Sequence, residues 1–404
     1  MKKVLELSFF YAVAMSFSVG ATVYISNTVT PDIYAILGIF NWVLGLSSAL
    51  CLLSLPAIIR VYFTSQKYTS VVKTTLFYSI FILAFLAILV SVLPEYFSRV
   101  TKLDSKWLWV LIVGNICTIL MSYCQTVFQC KSRFISFGFM MIIQPVLLLL
   151  FAVLLLSKGA SSGNLLETVS YAQVSLLIIL IVIFVKMAGL RNPFSVSETR
   201  EVLNFTGPLI PHTILGYLSL GIDRYLVSLF LTGEEIGVYF LIFTYCSVLS
   251  VIGDLGTKLY QNWLYPALSN KSVSRSEIDR NVRWLLLLVL AFLPASYYSL
   301  GFAFALLLPE DYLSGITLYP IFILGIALSF VYLIYIQFVV FFKKTFILPI
   351  ITGLSLLASS FGGIFLYLYF DLGIYSFVIG FSFGQAVAAS LAFLAARYYL
   401  GKNV

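Results

Sequence analysis

The chain has 404 residues, of which 61% are hydrophobic and only 10% charged, with a formal net charge of +8. An average soluble domain is roughly 25% charged, so a soluble fold of this length could not cover its surface. The composition excludes a cytosolic enzyme, a secreted disulfide scaffold and a disordered tail, and it leaves lipid as the solvent.

In chain order, runs free of Asp, Glu, Lys and Arg cover 7–31, 33–59, 74–94, 107–130 and 134–157, then 284–309, 312–342, 345–370 and 372–396. Each reaches the roughly 20 residues that cross a hydrocarbon core of about 30 Å. Shorter or interrupted runs at 168–185, 202–231 and 236–264 bring the predicted total to twelve transmembrane helices. Continuous apolar stretches such as Leu147–Leu156 contradict the alternating polarity of a transmembrane β-barrel. The first run follows Lys2 and Lys3 but is too long for a signal-peptide core, and no small-residue cleavage pattern follows it. The loop Lys186–Glu201 is the natural boundary, dividing the chain into six-helix bundles at 1–190 and 191–404.

The basic residues fix an orientation. With the N-terminus inside, 18 Lys and Arg fall on the cytoplasmic side, from Lys2, Lys3, Arg60, Lys67, Lys73, Lys131 and Arg133 to Arg397 and Lys402. Only Arg99, Lys102, Lys106 and Lys158 fall outside, which places both termini in the cytoplasm by the positive-inside rule. Trp42, Trp107, Trp109 and Trp284, with many of the 26 Tyr, are candidates for interfacial belts.

The halves echo each other. Thr30-Pro31-Asp32-Ile33-Tyr34 precedes the second span as Thr232-Gly233-Glu234-Glu235-Ile236 precedes the eighth, at an offset of 202. Six helices per half is an even number, so the repeat is parallel, and a substrate path is expected between the halves.

Three stretches carry a family resemblance: Asn204 to His212 (Asn-Phe-Thr-Gly-Pro-Leu-Ile-Pro-His), Gly221 to Ser228 (with the Asp223-Arg224 pair), and Gly233 to Tyr239. Together with Thr30–Phe63, they resemble the half-start signatures of Wzx-type polysaccharide flippases of the multidrug/oligosaccharidyl-lipid/polysaccharide (MOP) exporter superfamily. The resemblance implies an all-α polytopic protein, a MATE-like V-shaped transporter in the bacterial inner membrane, without enzymatic chemistry or cofactor. It implies as substrate an oligosaccharide on undecaprenyl pyrophosphate, moved from the cytoplasmic to the periplasmic leaflet for O-antigen or capsule synthesis. Membrane lipid, a coupling H+ or Na+, and other polysaccharide-assembly membrane proteins are the further partners it implies; nucleic acid is not among them. One departure stands out: relatives line the cleft with several cations, and spans 1, 3, 5, 9 and 11 offer none in their interiors.

A charge deep in a span costs at least ~2.5–3.5 kcal/mol on insertion scales, so it should meet a partner or a wet cavity. The interior candidates are His212, Asp223, Arg224, Asp254 and Lys258, all in spans 7 and 8; Glu6 and Arg60 lie nearer the cytoplasmic ends. His212 and Asp223 are eleven residues apart, which returns to nearly the same helix face, and Pro208 and Pro211 predict a bend at the histidine. His212 reads either as a proton-sensitive or sugar-contacting group or as a hydrogen-bonded residue packing the bend. Asp223-Arg224 reads first as an interfacial pair snorkelling into headgroups, with Asp223 as a coupling group and Arg224 as an exit-side cation the alternative. Asp254 and Lys258 stand at i, i+4, either as a structural pair or as an ion-exchanging acid beside a pyrophosphate-binding lysine. The offset of 202 sets Lys258 one turn from the counterpart of Arg60, so each half offers one cation to an anionic headgroup; ordinary positive-inside anchoring is the other reading of Arg60.

The five cysteines have no metal-ligand spacing and read as packing residues, so no metal is expected. Gly380-Phe-Ser-Phe-Gly384 matches a small-residue helix-packing pattern that is common in apolar helices. Intramembrane amides, including Asn115, Gln173, Gln337 and Gln385, read mainly as interhelical hydrogen bonders. Two functions compete with the flippase: a drug or cation exporter of the same superfamily, which would need uncompensated acids, and an O-antigen polymerase or ligase. The enzyme would need a large periplasmic loop, and the longest outer loops here are about a dozen residues.

Overall fold

The computed structural model describes the chain apart from residues 1, 53–54, 64–66, 132, 189–199, 201–206, 208, 220, 270–273, 343, 345 and 404. Within the helices it leaves out the side chains of 2–5, 7–8, 188, 209, 212, 219, 254–255, 258–259, 262, 266, 269 and 402–403. The described residues form helices and no strand, and they divide into two compact units, Met1–Tyr217 and Leu218–Val404. The division falls later than the 190/191 boundary read from the sequence, and most of the Lys186–Glu201 loop lies outside the described residues. Local packing agrees with this at one point: the ring of Tyr217 lies against Gly45 of the first unit.

The first unit contains α1 (Lys2–Thr28), α2 (Pro31–Leu52), the short α3 (Leu55–Tyr62), α4 (Tyr68–Val92), α5 (Pro94–Thr101), α6 (Ser105–Cys130), α7 (Phe134–Leu156) and α8 (Ser162–Ala188). Helix α6 is its centre. Asn115 on α6 is fully buried; its amide nitrogen donates to Ser47 at 3.0 Å, and its oxygen accepts from Ser48 of α2 at 2.9 Å. In lipid each of these groups would otherwise be stranded, so the knot fixes the α2–α6 register. Trp107 is 2% exposed and packs on Phe40, so it belongs to the core and not to an interfacial belt; Trp109 and Trp284 stay exposed.

The second unit takes up the end of α9 (Leu209–Ser219) and continues with α10 (Ile222–Phe230), α11 (Gly233–Ser269) and α12 (Arg275–Leu307). A 3-10 segment (Glu310–Leu318) leads into α13 (Tyr319–Phe341), α14 (Ile347–Phe370) and α15 (Tyr375–Asn403). Thr232 and Glu235 cap α11 reciprocally, and Ser274 with Glu277 forms a full capping box on α12. Helices α14 and α15 approach closely through Gly363, Gly380 and Gly384, and the Ser355 hydroxyl donates to the Gly384 carbonyl at 2.8 Å. The Gly380–Gly384 pattern is therefore a true packing seam. Asp371 and Gly373 turn the chain between these helices with left-handed φ of 51° and 52°.

Among the described residues eleven helices are long and apolar enough to cross a membrane, against the twelve predicted, which makes the chain a multi-pass membrane protein. The twelfth segment is present but broken into α9 and α10, each under 18 residues. The first piece ends at Ser219 and the second starts at Ile222, with Gly221 before it at φ −146° and ψ 4°, while Pro211 sits in the first turn of α9. Proline is tolerated in a first turn, whose N–H groups have no helical partner, so the bend expected at His212 occurs eight or nine residues later. The repeat is visible in helix boundaries: α1 ends at Thr28 and α10 at Phe230, while α2 starts at Pro31 and α11 at Gly233, each pair 202 residues apart.

The asymmetry of basic residues carries a direct expectation. A reporter active only in the cytoplasm should be active when fused after Val404 and silent when inserted near Asp311. The reverse pattern would end the orientation argument.

Candidate functional site

Two functional candidates of the second unit, Asp223 and Arg224, sit at the start of α10. Its first turn holds Asp223, which is 1% exposed and accepts a hydrogen bond from the Tyr239 hydroxyl of α11 at 2.5 Å. Arg224 interacts electrostatically with Asp223 and lays its guanidinium over the Phe243 ring, 3.8 Å from the centroid, with Nε buried. Tyr239 is fully buried and meets Phe322 edge-on; Phe243 meets both Phe322 and Phe381. The tight turn 231–232 makes this possible, because it folds α11 back along α10 and brings residues sixteen apart into contact.

A buried carboxylate needs compensation. Here it has the phenol, the adjacent guanidinium, and the first-turn N–H groups of residues 223 and 224, where the helix dipole favours negative charge. Its second oxygen, Oδ1, is buried with no hydrogen-bond partner among the described residues. Oxygens of this kind can take a proton or help to hold a monovalent cation. The snorkelling reading of Asp223 fails, since the side chain turns into an aromatic core and not toward headgroups.

The other sequence candidates do not join this cluster in what is described. His212 lies on α9 and Asp223 on α10, so the helical repeat that put them on one face is interrupted between them. The side chains of His212, Asp254 and Lys258 lie outside the description, although their positions are helical. Position 254 stands eighteen residues beyond Ile236 on the continuous α11, a rise of ~27 Å. Arg60, in the last turn of α3, donates from its guanidinium to the Gln129 side chain of α6 at 3.2 Å and remains exposed.

Sequence reasoning missed Tyr239 and Phe243. Tyr239 closes the stretch Gly233–Tyr239 that carries the family resemblance, so the signal was in hand without a role attached to it. Of the amides, Gln337 behaves as expected, accepting from Gln261 at 2.7 Å and from Tyr265 at 2.9 Å. An apolar cavity of about 270 Å³ lies between α11, α12 and α13, lined among others by Gly253, Gly256, Tyr260, Leu288 and Phe330. No group of three or more His, Cys, Asp and Glu that could hold a metal occurs among the described residues.

This helical, multi-pass architecture has counterparts among solved structures. An inward-facing multidrug resistance MATE family transporter of the MOP superfamily matches with a TM-score of 0.77 at 14% identity, covering 96% of this chain and 95% of its own. A MATE transporter in complex with MaL6 matches at 0.67 and 14% identity, covering 99% and 96% of the two chains. A MOP superfamily transporter from Pyrococcus furiosus, described as having a binding pocket of reverse polarity that suggests a different function, matches at 0.65 and 16%, over 99% and 96%. No family model and no curated protein matches the sequence. The chain is thus an all-helical polytopic membrane protein. Its fold is the one shared by MATE transporters of the MOP superfamily.

Proposed function

We propose that the protein is an ion-coupled flippase that moves an oligosaccharide carried on undecaprenyl pyrophosphate from the cytoplasmic to the periplasmic leaflet of a bacterial inner membrane. The observation that carries the choice is the compensated acid of the second unit. A cation exporter needs a carboxylate free to meet its substrate, whereas Asp223 is held by Tyr239 beside Arg224. A net charge of +8 and basic side chains at Arg60, Lys258 and Arg224 suit an anionic pyrophosphate instead. In this reading Arg60 and Lys258 meet the headgroup as it loads, Arg224 is the exit-side cation, and Asp223, His212 and Asp254 are the groups that can exchange an ion. The pocket of reverse polarity reported for the Pyrococcus transporter supports the view that this fold admits substrates of more than one charge.

Multidrug or cation efflux is the second reading, favoured by the multidrug resistance MATE transporter that shares the fold. Gene deletion separates the two. Loss of the flippase should leave short lipid-linked glycan on the cytoplasmic leaflet with unchanged drug sensitivity, while hypersensitivity with normal glycan export would establish the second reading.

Site variants refine the first reading. Arg60→Ala and Lys258→Ala should lose glycan export, and Lys258→Arg should retain part of it, because point charge is the main requirement. If Lys258→Ala fails but Asp254→Asn/Lys258→Ala recovers export, Lys258 serves only to neutralise Asp254.

A further inference from the structure

The first unit contains a second, separate feature: a cavity of about 230 Å³ at its basic end, between α4, α6 and α8. Its mouth carries two cations, Lys73 on the second turn of α4 and Lys131 at the C-cap of α6. Its wall carries two phenols, Tyr68 and Tyr123, which are hydrogen-bonded to each other. The rest of the lining is mainly apolar, with Val72, Leu76, Val127 and Phe184. We propose that this cavity binds the phosphodiester headgroup of an anionic glycerophospholipid from the leaflet at the basic end, with the start of an acyl chain lying on the apolar wall.

Four observations point to that occupant. First, the spacing is built: Tyr68, Val72, Lys73 and Leu76 share one face of α4, while Tyr123, Val127 and Lys131 recur every four residues along α6. Each helix therefore brings one cation, one phenol and apolar side chains to the same cavity, so that a phosphate and the start of a chain both find a matching lining there. Second, α4 starts at this site, so the positive end of the dipole of a 25-residue helix lies at the cavity.

Third, the charge around the site has one sign. The connections 60–73, 129–134 and 184–188 contain Arg60, Lys67, Lys73, Lys131, Arg133 and Lys186 and no acid. Basic pockets between transmembrane helices on the inner side are suited to anionic headgroups in this way. Fourth, both phenols of the wall are packed: Tyr123 edge-on against Phe184, with ring centroids 5.1 Å apart, and Tyr68 against Phe63 at 5.5 Å. A free phosphate would gain nothing from the apolar wall, whereas a lipid uses both ends. The inference is independent of the transported substrate.

Binding of short-chain phosphatidylglycerol to the purified full-length protein in neutral detergent tests the assignment, by native mass spectrometry or thermal-shift titration. Phosphatidylcholine and inorganic pyrophosphate serve as comparison ligands. Phosphatidylglycerol should bind, and the double change Lys73→Gln/Lys131→Gln should weaken it about twenty-five-fold, since a basic side chain near an anionic surface contributes roughly fivefold. Lys73→Arg/Lys131→Arg should restore most of the binding. Lys102→Gln/Lys106→Gln, at the opposite end of the unit, removes the same charge and should leave binding unchanged. Equal binding of phosphatidylcholine, equal loss with the Lys102/Lys106 control, or pyrophosphate binding as tightly as the lipid would overturn the proposal. Should the double glutamine variant not fold, Lys131→Gln alone, at an exposed helix end, reads the same outcome at about fivefold.

Discussion

Asp223→Ala is expected to remove most of the folded protein, whereas Asp223→Asn is expected to leave it folded and inactive. The alanine removes the carboxylate that offsets the Arg224 guanidinium, which lies over the Phe243 ring with its Nε buried. Breaking one side of a buried charge pair costs about 3–5 kcal/mol, and a cation–π contact returns only ~0.5–2 kcal/mol. Asparagine keeps the shape and an acceptor for the Tyr239 hydroxyl but can neither carry a negative charge nor bind a proton. Fluorescence size-exclusion of the tagged protein and melting in detergent report the first effect; glycan export reports the second. The pair Asp223→Ala/Arg224→Leu should restore folding without export, because it removes both charges. A single Asp223→Ala that melts like the wild type would show that the cluster contributes little to stability. Full export by Asp223→Asn would remove Asp223 from ion coupling.

Gly380→Leu and Gly384→Leu are expected to abolish assembly of the second unit. A Cβ at Gly380 would stand 2.7 Å from the Ser359 carbonyl oxygen and 2.8 Å from Gly363 Cα; at Gly384 it would stand 2.9 Å from the Ser355 carbonyl oxygen. These neighbours are backbone atoms, so no rotamer change relieves them, and the whole α14–α15 seam would have to open. Overpacking costs about 1–3 kcal/mol when side chains can yield and more when they cannot. Gly353 on α14 makes the comparison sharp, since a Cβ there would meet nothing within 4 Å. Gly353→Ala should melt at or above the wild-type temperature, helped by roughly 0.5–1 kcal/mol of helix propensity. Equal tolerance of all three changes would dissolve the seam.

The chain itself determined that this is a helical membrane protein. Hydrophobic length is a property of a run of residues, so spans such as 134–157 and 345–370 can be read without knowing what they touch. The same holds for the 202-residue repeat, which reappears as matching helix ends at Thr28 and Phe230, and for the distribution of Lys and Arg. Tertiary structure decided whatever depends on a partner. Hydropathy cannot tell a helix from a broken one, so the interruption at Gly221 was visible only in the fold, and with it the separation of His212 from Asp223. Trp107 looked like an interfacial residue by type and is buried against Phe40 because α6 lies at the centre of its unit. Asp223 read with Arg224 as an interfacial pair by its nearness to the outer end of a span, and it is buried and bonded to the Tyr239 hydroxyl. Sequence spacing measures position along one helix, whereas the energy of a charge in lipid is set by the groups that surround it, and those come from elsewhere in the chain.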